Sequence, residues 1–575
     1  MQVSTHLDCV VIGYNEIPFG EYEKFIRNYG QESEAYRDLK FSFVELDGEK
    51  LDYIGLLNRV AGVASDQDQR SNDTFKSGAI PNLAAAYLTN FLRRQGFSVS
   101  YVNLFQSEKE KLRRYLAADP YCVAITTTFY VMNLPVNEMV EFIRQHNPRV
   151  KIVVGGPLIA NHARTNHGDD LRAALDDMGA DIYVIEGQGE MTLSQIVGCL
   201  KEGNDLSDIP NLAYVENGVL RRTKVIAENN SLDENFINWA NFPGEALGET
   251  LQTRTARSCA FKCSFCNYPA RAGALSLTSL DVIEKELDAM LALGNVKNVV
   301  FIDDTFNVPF PRFKEICRLM IRNKYPFNWF SYFRCSNSDE EAIDLMARSG
   351  CKGVFLGIES GSPTVLQNMN KAATIEKYGR GIEWLRQYGI MTFGSFITGF
   401  PGETEETVNE TIDFIKQAKP DYYRSQLWYC EPGTPIQNER IKYQIEGEGF
   451  VWRHATMDSL EAADHIDRMF LEISESIWLP QWSFDFWIVP YLLGKGISLS
   501  RFKEFMGLAH KLLALEIAYV PAKQKQLKQQ EYFQQMVRQF GRPADGVSHQ
   551  QDKACDGPTH AQLPAQFRRL LSAEG

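Results

Sequence analysis

The hydrophobic pattern of the first 203 residues alternates short apolar runs with amphipathic stretches. The runs DCVVIG, FSVSYVNLF, YCVAITTTF, VKIVVGG and ADIYVIEG predict strands, whereas NLAAAYLTNFLRRQG and VNEMVEFIRQHN predict helices. Strands that alternate with helices are typical of a parallel, doubly wound sheet. We therefore predict a doubly wound α/β domain over residues 1–203.

Polar and glycine residues follow three of these strands, in the segments YCVAITTTF, KIVVGGP and IYVIEGQGE. Doubly wound sheets bind ligands outside the carboxyl ends of their strands. A tight turn alone explains any one of these glycine-rich loops equally well. Three such loops at one edge favour a large polar ligand, and the candidate contacts are Thr126, Thr127, Thr128, Gly155, Gly156, Pro157, Glu186, Gly187, Gly189 and Glu190.

A second α/β pattern begins after a connecting segment, residues 204–250, in which a hairpin is expected around Asn217-Gly218. Over residues 251–447 six apolar segments alternate with helices: QTRTARS, NVVFIDD, NWFSYFRC, KGVFLGIES, MTFGSFITG and DYYRSQLWYC. Six β/α units predict a partial (β/α)6 barrel with its active site at the C-terminal ends of the strands. Residues 448–575 are predicted to be mostly helical, with a Gln-rich and then irregular tail.

The most apolar later segment, SIWLPQWSFDFWIVPYLL, is interrupted by two prolines and an aspartate and is too short to predict a membrane span. Its tryptophans, Trp478, Trp482 and Trp487, either wall the barrel mouth or pack in the core, and we favour the core. The N-terminus has no basic segment before an apolar core, which favours a first strand over a signal peptide. We expect a cytoplasmic protein.

Composition narrows the classes of partner. The chain has 575 residues, enough for two to four domains, and 60 basic against 73 acidic side chains give a net charge of -13. That balance argues against a nucleic-acid partner. Eleven cysteines in a chain expected in the cytoplasm indicate metal or redox chemistry rather than a disulfide framework.

Three cysteines cluster in SCAFKCSFCNYP, namely Cys259, Cys263 and Cys266. A structural zinc site needs four ligands, but no histidine lies near and the nearest other cysteines are Cys199 and Cys317. A zinc site with a remote fourth ligand stays open. An iron–sulfur cube is usually held by four thiolates, so three leave one iron with an open position. Three thiolates therefore fit a cluster that must bind something else.

The C-x3-C-x2-C spacing, with Phe265 before the last cysteine and directly after the first barrel strand, resembles the signature of the radical S-adenosylmethionine enzymes. The resemblance implies a [4Fe–4S] cluster on Cys259, Cys263 and Cys266, with S-adenosylmethionine chelating the open iron. It also implies an electron donor, such as flavodoxin or ferredoxin, that drives cleavage to a 5′-deoxyadenosyl radical.

Five charged residues in the predicted barrel match positions that this superfamily uses for S-adenosylmethionine. By resemblance, Asp303 and Asp304 face its amino end, Arg334 its carboxylate or ribose, and Glu359 with Lys371 its ribose and carboxylate. Each one alone is explained as well by a helix cap or a salt bridge. Their order along the barrel favours cofactor contacts.

The N-terminal sheet, Rossmann-like and directly before the barrel, resembles the cobalamin-binding domain of class B radical S-adenosylmethionine methyltransferases, nearest to their P-methyltransferase-like subgroup. The resemblance implies cobalamin, and methylation of an unactivated carbon or a phosphorus through a 5′-deoxyadenosyl radical and methylcobalamin. One departure is the absence of D-x-H-x-x-G. We expect no histidine ligand on cobalt, and read His162 and His167 as loop residues.

Other functions stay open at this point. A cobalamin radical enzyme that rearranges or cyclises its substrate differs only in its products. A methylthio-transferring enzyme would need a second cysteine cluster, and a sensor protein would need a basic recognition helix; the sequence favours neither. The substrate is a small molecule, a carrier-bound intermediate or a peptide, and the sequence does not discriminate among them.

Overall fold

The computed structural model describes residues 7–68, 75–76, 80–242, 247–482 and 484–540. In the first part of the chain the strands are β1 Cys9–Tyr14, β2 Phe43–Leu46, β3 Glu49–Asp52, β4 Val99–Leu104, β5 Cys122–Thr126, β6 Lys151–Gly155, β7 Ile182–Val184, β8 Leu212–Glu216 and β9 Val219–Arg222. The helices are α1 Phe19–Arg27, α2 Glu34–Leu39, α3 Tyr53–Asp68, α4 Leu83–Arg94, α5 Phe105–Ala117, α6 Leu134–His146, α7 Pro157–Thr165, α8 Gly168–Asp176 and α9 Glu190–Glu202.

The first sheet has the order β4-β1-β5-β6-β7-β8-β9, with the first five strands parallel. Strands β1 and β5 are buried almost throughout, because helices cover both faces of a doubly wound sheet. The chain order reverses between β1 and β5, which creates a crevice at their carboxyl ends. The predicted doubly wound α/β fold is confirmed.

The hairpin expected around Asn217-Gly218 forms from β8 and β9 and extends the first sheet in antiparallel fashion. The chain that follows is bonded to both halves of the molecule. Glu228 accepts the backbone N–H of Met191 in α9 at 2.8 Å, and Asp233 accepts that of Ser279 in the barrel half at 2.7 Å. The connecting segment is thus built into the structure on both sides.

Residues 19–68, to which the sequence analysis assigned no element, leave the first sheet and pack against the C-terminal helices. Gln529 donates to the backbone oxygen of Glu45 at 2.6 Å, and Arg37 pairs with Asp467 at 2.8 Å. The buried Arg424 of the second sheet donates to Asp38 at 3.1 Å. Residues 19–68 therefore connect the N-terminal part of the chain to the second sheet and the C-terminal helices.

The second half begins with strands β10 Thr250–Thr253, β11 Ala256–Arg257, β12 Ser276–Leu277, β13 Asn298–Phe301, β14 Asn328–Phe333, β15 Cys351–Glu359, β16 Met391–Thr398 and β17 Tyr422–Leu427. Its helices are α10 Tyr268–Ala272, α11 Leu280–Ala292, α12 Phe310–Asn323, α13 Glu340–Arg348, α14 Pro363–Asn368, α15 Ile375–Gln387 and α16 Glu405–Ala418. The six long strands β10, β13, β14, β15, β16 and β17 pair in that order, all parallel. The predicted partial barrel is confirmed.

The C-terminal region contains α17 Arg440–Tyr443, β18 Glu446–Glu448, β19 Val451–His454, β20 Met457–Asp458, α18 Ser459–Glu472, β21 Ile477–Trp478, α19 Ile488–Gly494, α20 Leu499–Ile517 and α21 Ala522–Phe540. It is mostly helical as predicted, but β21 adds a seventh strand beside β17. The Gln-rich segment lies in α21, and the irregular tail lies outside the described residues. No helix in the described ranges is long and apolar enough to cross a bilayer.

Candidate active site between the two sheets

A cavity of about 810 Å³ lies where the carboxyl ends of the two sheets face each other. One wall comes from the ends of β1, β5, β6 and β7, which include the switch point of the first sheet. The other wall comes from the ends of β10, β13 and β14. One side is closed by Gln481, Trp482, Asp485, Trp487 and Ile488. The strand ends of both halves thus share one chamber.

The residues predicted from the first sheet reach this chamber, with one exception. Those that line it are Thr126, Thr128, Gly155, Gly156, Pro157, Glu186, Gly187, Gly189 and Glu190. Thr127 is fully buried behind them; its hydroxyl donates to Gly155 O at 3.0 Å and accepts the N–H of Leu158 at 3.3 Å. Thr127 therefore braces the Gly155-Gly156 loop rather than facing a ligand.

Two glycines of this wall have no room for a side chain. Gly156 has φ +113°, and a Cβ there would lie 2.8 Å from the Thr127 hydroxyl oxygen. A Cβ on Gly187 would lie 2.9 Å from the backbone oxygen of Arg271 in α10. The wall consequently presents bare backbone to the cavity, which suits close approach of a large ligand such as a corrin.

No histidine of the described residues lines the cavity. His162 lies on α7, where burial lowers its pKa and Asn166 donates to its ring at 3.2 Å. His167 precedes the first turn of α8. The expectation that cobalt has no histidine ligand remains a prediction.

The cysteine loop is fastened to the chain that follows β15. The N–H of Ser264 donates to Met369 O at 2.9 Å, and its hydroxyl donates to Asn368 O at 2.9 Å. The Asn370 amide donates to Lys262 O at 2.7 Å. These bonds fix the backbone around Cys263 with no contribution from a metal.

The thiols of this loop are unpaired by disulfides and sit in an environment that an iron–sulfur cluster would suit. Burial raises the pKa of Cys266 to about 11, and it raises that of Cys263 despite the opposing charges of Lys371 and Arg334. Bound iron would supply the positive charge that holds them as thiolates. No three His, Cys, Asp or Glu side chains in the described ranges are arranged to hold a single metal ion.

The two aspartates at the end of β13 have different surroundings. Asp303 is buried and accepts the N–H groups of Thr255 and Ala256 at 2.7 and 2.6 Å, and the Thr255 hydroxyl at 2.7 Å. It thus clamps the chain entering the cysteine loop. Asp304 is an accessible side chain of the cavity lining, and enclosure by the surrounding walls raises its pKa to about 6.

Glu359 and Lys371 form a buried ion pair with Nζ 2.7 Å from Oε1. Burial opposes the charge of Lys371, but the Glu359 carboxylate together with Tyr378 and Cys263 outweighs it and raises the lysine pKa. Glu359 has φ +71° at a register shift of β15 against β16, and the strain of such a position is characteristic of functional sites. The Lys371 ammonium lies 5.5 Å from the ring centre of Phe265.

Arg334 completes this group beside the cysteine loop. Its guanidinium carbon lies 3.7 Å from the ring centre of Phe261, and its Nη2 is buried without a hydrogen-bond partner. An unpaired guanidinium N–H is costly unless a ligand supplies an acceptor. Arg334, Glu359, Lys371 and Phe265 thus fit the polar end of S-adenosylmethionine bound next to Cys263.

The ion pair makes a stability prediction. Replacing Lys371 with Met should lower the free energy of unfolding of the cofactor-free protein by about 3–5 kcal/mol, because the buried Glu359 charge loses its partner. Urea unfolding measures the effect. The same change at Lys528, whose pair with Glu531 is on the surface, should cost less than about 1 kcal/mol. Equal losses in the two variants would contradict the prediction, and adding Glu359→Gln should recover part of the Lys371→Met loss.

The cavity also contains residues that the sequence analysis did not select. Among them are Arg254, Arg257, Tyr268, Tyr332 and Asp485. The two arginines stand three residues apart in QTRTARS. Their position at the end of the first barrel strand is the sequence feature that could have identified them as cavity residues. Trp478 is buried in the core, as the sequence analysis favoured for all three tryptophans. Trp482 and Trp487 instead line the cavity.

Comparison with known proteins agrees with this division of the chain. Residues 77–197 match the B12 binding domain, and residues 253–415 match the Radical SAM superfamily. An uncharacterized methyltransferase of Pyrococcus horikoshii is 27% identical over 62% of this chain and 77% of its own. The anaerobic magnesium-protoporphyrin IX monomethyl ester cyclase of Rubrivivax gelatinosus is 22% identical over 68% and 73%.

The fold is shared with TsrM from Kitasatospora setae, a radical S-adenosylmethionine methyltransferase. Its structure with cobalamin and [4Fe–4S] cluster bound has a TM-score of 0.53 at 22% identity, covering 63% of this chain and 72% of TsrM. Its structure with tryptophan substrate and an S-adenosylmethionine analogue has a TM-score of 0.51 at 21% identity, covering 62% and 73%.

A B12-binding domain followed by a radical S-adenosylmethionine domain, facing each other across one cavity, defines a cobalamin-dependent radical S-adenosylmethionine enzyme. Its cofactors are a [4Fe–4S] cluster, S-adenosylmethionine and cobalamin. Within that class, the proteins that this chain resembles include methyltransferases and a cyclase.

Proposed function

We propose that this enzyme methylates an unactivated carbon of a small molecule held in the cavity between the two sheets. The observation that carries the proposal is the single 810 Å³ chamber lined by the strand ends of both halves. When bound, cobalamin supplies the methyl group, and the cluster with S-adenosylmethionine supplies a 5′-deoxyadenosyl radical. A substrate in a shared chamber is within reach of both, which is the proximity that such chemistry requires.

The side chains of the chamber support binding and orientation of such a substrate. Trp487 donates its indole N–H to the Tyr332 hydroxyl at 3.1 Å, and the two rings lie 4.6 Å apart at 65°. They form a fixed aromatic wall that excludes water from the reacting groups. Asp485 lies on the same side, and burial raises its pKa to about 6, so it can accept a hydrogen bond from a polar group of the substrate.

The assignments of individual residues belong to this proposal. Cys259, Cys263 and Cys266 hold the cluster, Arg334, Glu359, Lys371 and Asp304 contact S-adenosylmethionine, and the glycine-rich wall receives cobalamin. Carbon is preferred over phosphorus because TsrM, with which the fold is shared, was solved with tryptophan as its substrate. Carrier-bound and peptide substrates are less favoured by a walled chamber.

The supply of electrons and the cellular location are part of the same proposal. The radical step consumes an electron, which flavodoxin or ferredoxin would deliver. All ten described cysteines are free, which fits a reducing compartment such as the cytoplasm.

A second candidate function, cyclisation or rearrangement without methyl transfer, is favoured by the similarity to the magnesium-protoporphyrin ester cyclase. It would use the same radical source and the same chamber. The two functions differ in whether S-adenosylhomocysteine forms.

The by-products test the proposal. The reconstituted, cobalamin-loaded enzyme is incubated without oxygen with a reductant, trideuteromethyl-labelled S-adenosylmethionine and a metabolite extract of its source cells. We expect one S-adenosylhomocysteine and one 5′-deoxyadenosine for each molecule that gains the labelled methyl group, measured by mass spectrometry. 5′-Deoxyadenosine formed with substrate but without S-adenosylhomocysteine or a labelled product would replace methylation with the second function.

A further inference from the structure

Two arginines of the barrel wall line the cavity without forming an ion pair with a described side chain. Arg254 follows β10 and Arg257 ends β11, directly before the cysteine loop. Both line the chamber opposite the glycine-rich loops of the first sheet. Neither has a role in binding the cluster or in the group around Cys263.

Their guanidinium groups have unused hydrogen-bond donors. Nε and Nη2 of Arg254 and Nη1 of Arg257 are buried with no partner, and Arg257 is only 4% exposed. Nη2 of Arg257 donates to Asn230 O at 2.8 Å, which holds its plane in place. Two buried guanidinium groups with three unpaired nitrogen donors between them are a costly arrangement that a bound acceptor would relieve.

The local charges do not balance. Arg254 lies over the ring of Tyr87, with its guanidinium carbon 4.5 Å from the ring centre. Glu190 is the nearby carboxylate, and it already accepts the N–H of Gly189 at 3.1 Å and the Asn230 amide at 2.9 Å. Glu286 is buried with its pKa raised to about 8, so it contributes little negative charge at neutral pH.

The two arginines also repel each other. Both are cations that stand three residues apart in the chain and line the same cavity. Beside the single carboxylate of Glu190, the two cations leave a local excess of positive charge, whereas the other carboxyl groups of the lining, those of Glu186, Asp304 and Asp485, lie elsewhere in the cavity. Guanidinium groups with free forked donors match the oxygens of a phosphate or carboxylate.

We propose that Arg254 and Arg257 form a subsite for an oxyanion, a phosphate or a carboxylate, carried by a ligand of the cavity. The inference deepens the proposed function and rests on it for the identity of those ligands. Two sources share this chemistry: the phosphate of the nucleotide tail of cobalamin, and an acidic group of the substrate. The two are separated by binding measurements that do not require turnover.

The first measurement compares cobinamide with cobinamide phosphate, which differ only in the phosphate group. Each is titrated into the cluster-containing protein and followed by its visible absorbance. If the tail phosphate occupies the subsite, the wild-type protein binds cobinamide phosphate about 10- to 100-fold more tightly, the range expected for charge-assisted hydrogen bonds. Arg254→Gln and Arg257→Gln should remove that preference and leave the affinity for cobinamide unchanged.

The second measurement uses protein loaded with the cluster and with cobalamin, and titrates inorganic phosphate by calorimetry. If the substrate supplies the anion, the loaded wild-type protein still binds phosphate, and both glutamine variants bind it at least about tenfold more weakly. Arg271→Gln is the matched control, because Arg271 lines the same cavity but already donates to Asn161 at 3.2 Å. That variant should keep whichever of the two binding preferences the wild-type protein shows.

The proposal is overturned if the wild-type protein shows neither preference, or if a preference persists in both arginine variants. The wild-type comparison alone decides the first case, so the test stands even if a variant folds poorly. If the wild-type protein shows one of these binding preferences but forms no methylated product, the proposed function is contradicted and the subsite is retained.

Discussion

Replacing Cys259, Cys263 or Cys266 with alanine is expected to abolish 5′-deoxyadenosine formation. The anaerobically reconstituted wild-type chain should contain about four irons, the content of one cubane cluster, and each variant should lose most of them. The loss follows because each thiolate holds a different iron, so two cysteines leave the cube with two open corners. Iron analysis and chromatography of the nucleoside product measure the two effects.

The matched control is Cys317→Ala. Cys317 is fully buried in α12, and burial raises its pKa to about 12, so it is a neutral core thiol. That variant should keep its iron and its activity. A triple variant of the cysteine loop that retained a full cluster and formed 5′-deoxyadenosine would remove the basis of the site assignment.

Replacing Gly156 with valine is expected to stop methyl transfer while leaving the radical source intact. The new Cβ would lie 2.8 Å from the Thr127 hydroxyl at φ +113°, a backbone conformation essentially confined to glycine. Relief of that strain must move the loop that faces the cobalamin side of the cavity. We expect cobalamin affinity to fall at least about tenfold. A tenfold loss corresponds to about 1.4 kcal/mol of binding free energy, which is within the energy of such backbone strain.

The control for this change is Gly203→Val. Gly203 also has a positive φ, +72°, but it ends α9 with open space around the added Cβ and does not line the cavity. It should lower stability and leave cobalamin affinity unchanged. Iron content and slow 5′-deoxyadenosine formation should persist in Gly156→Val, and tight cobalamin binding there would contradict the placement of the cofactor.

Much of this site was predictable because parallel strands end at a common edge. The segments ending at Thr126, Gly155 and Val184 are short apolar runs, and their order along the chain placed the following polar residues together. The cysteine motif was also predictable, because its three residues lie within one short segment of the chain. Neither inference needed knowledge of long-range contacts.

The residues that escaped prediction depend on such contacts. Thr127 and Asp303 carry the right chemistry, but neighbouring backbone groups use their oxygens, and only the folded chain shows this. The surroundings of Arg254 and Arg257 include Tyr87 and Glu190, which lie far away in the sequence, so the sequence did not show that the two arginines face a common cavity. The helices of residues 19–68 were missed because their partners are at the opposite end of the chain.

The connecting segment has a consequence for the timing of catalysis. Since β8 and β9 belong to the first sheet, and Asp233 is bonded to the barrel half, we expect the two halves to resist swinging apart. A rigid enclosure lets reagents come and go only by diffusion through its openings. Spent S-adenosylmethionine must then leave before the next molecule enters, so we expect exchange of small molecules, and not opening of the protein, to pace each cycle.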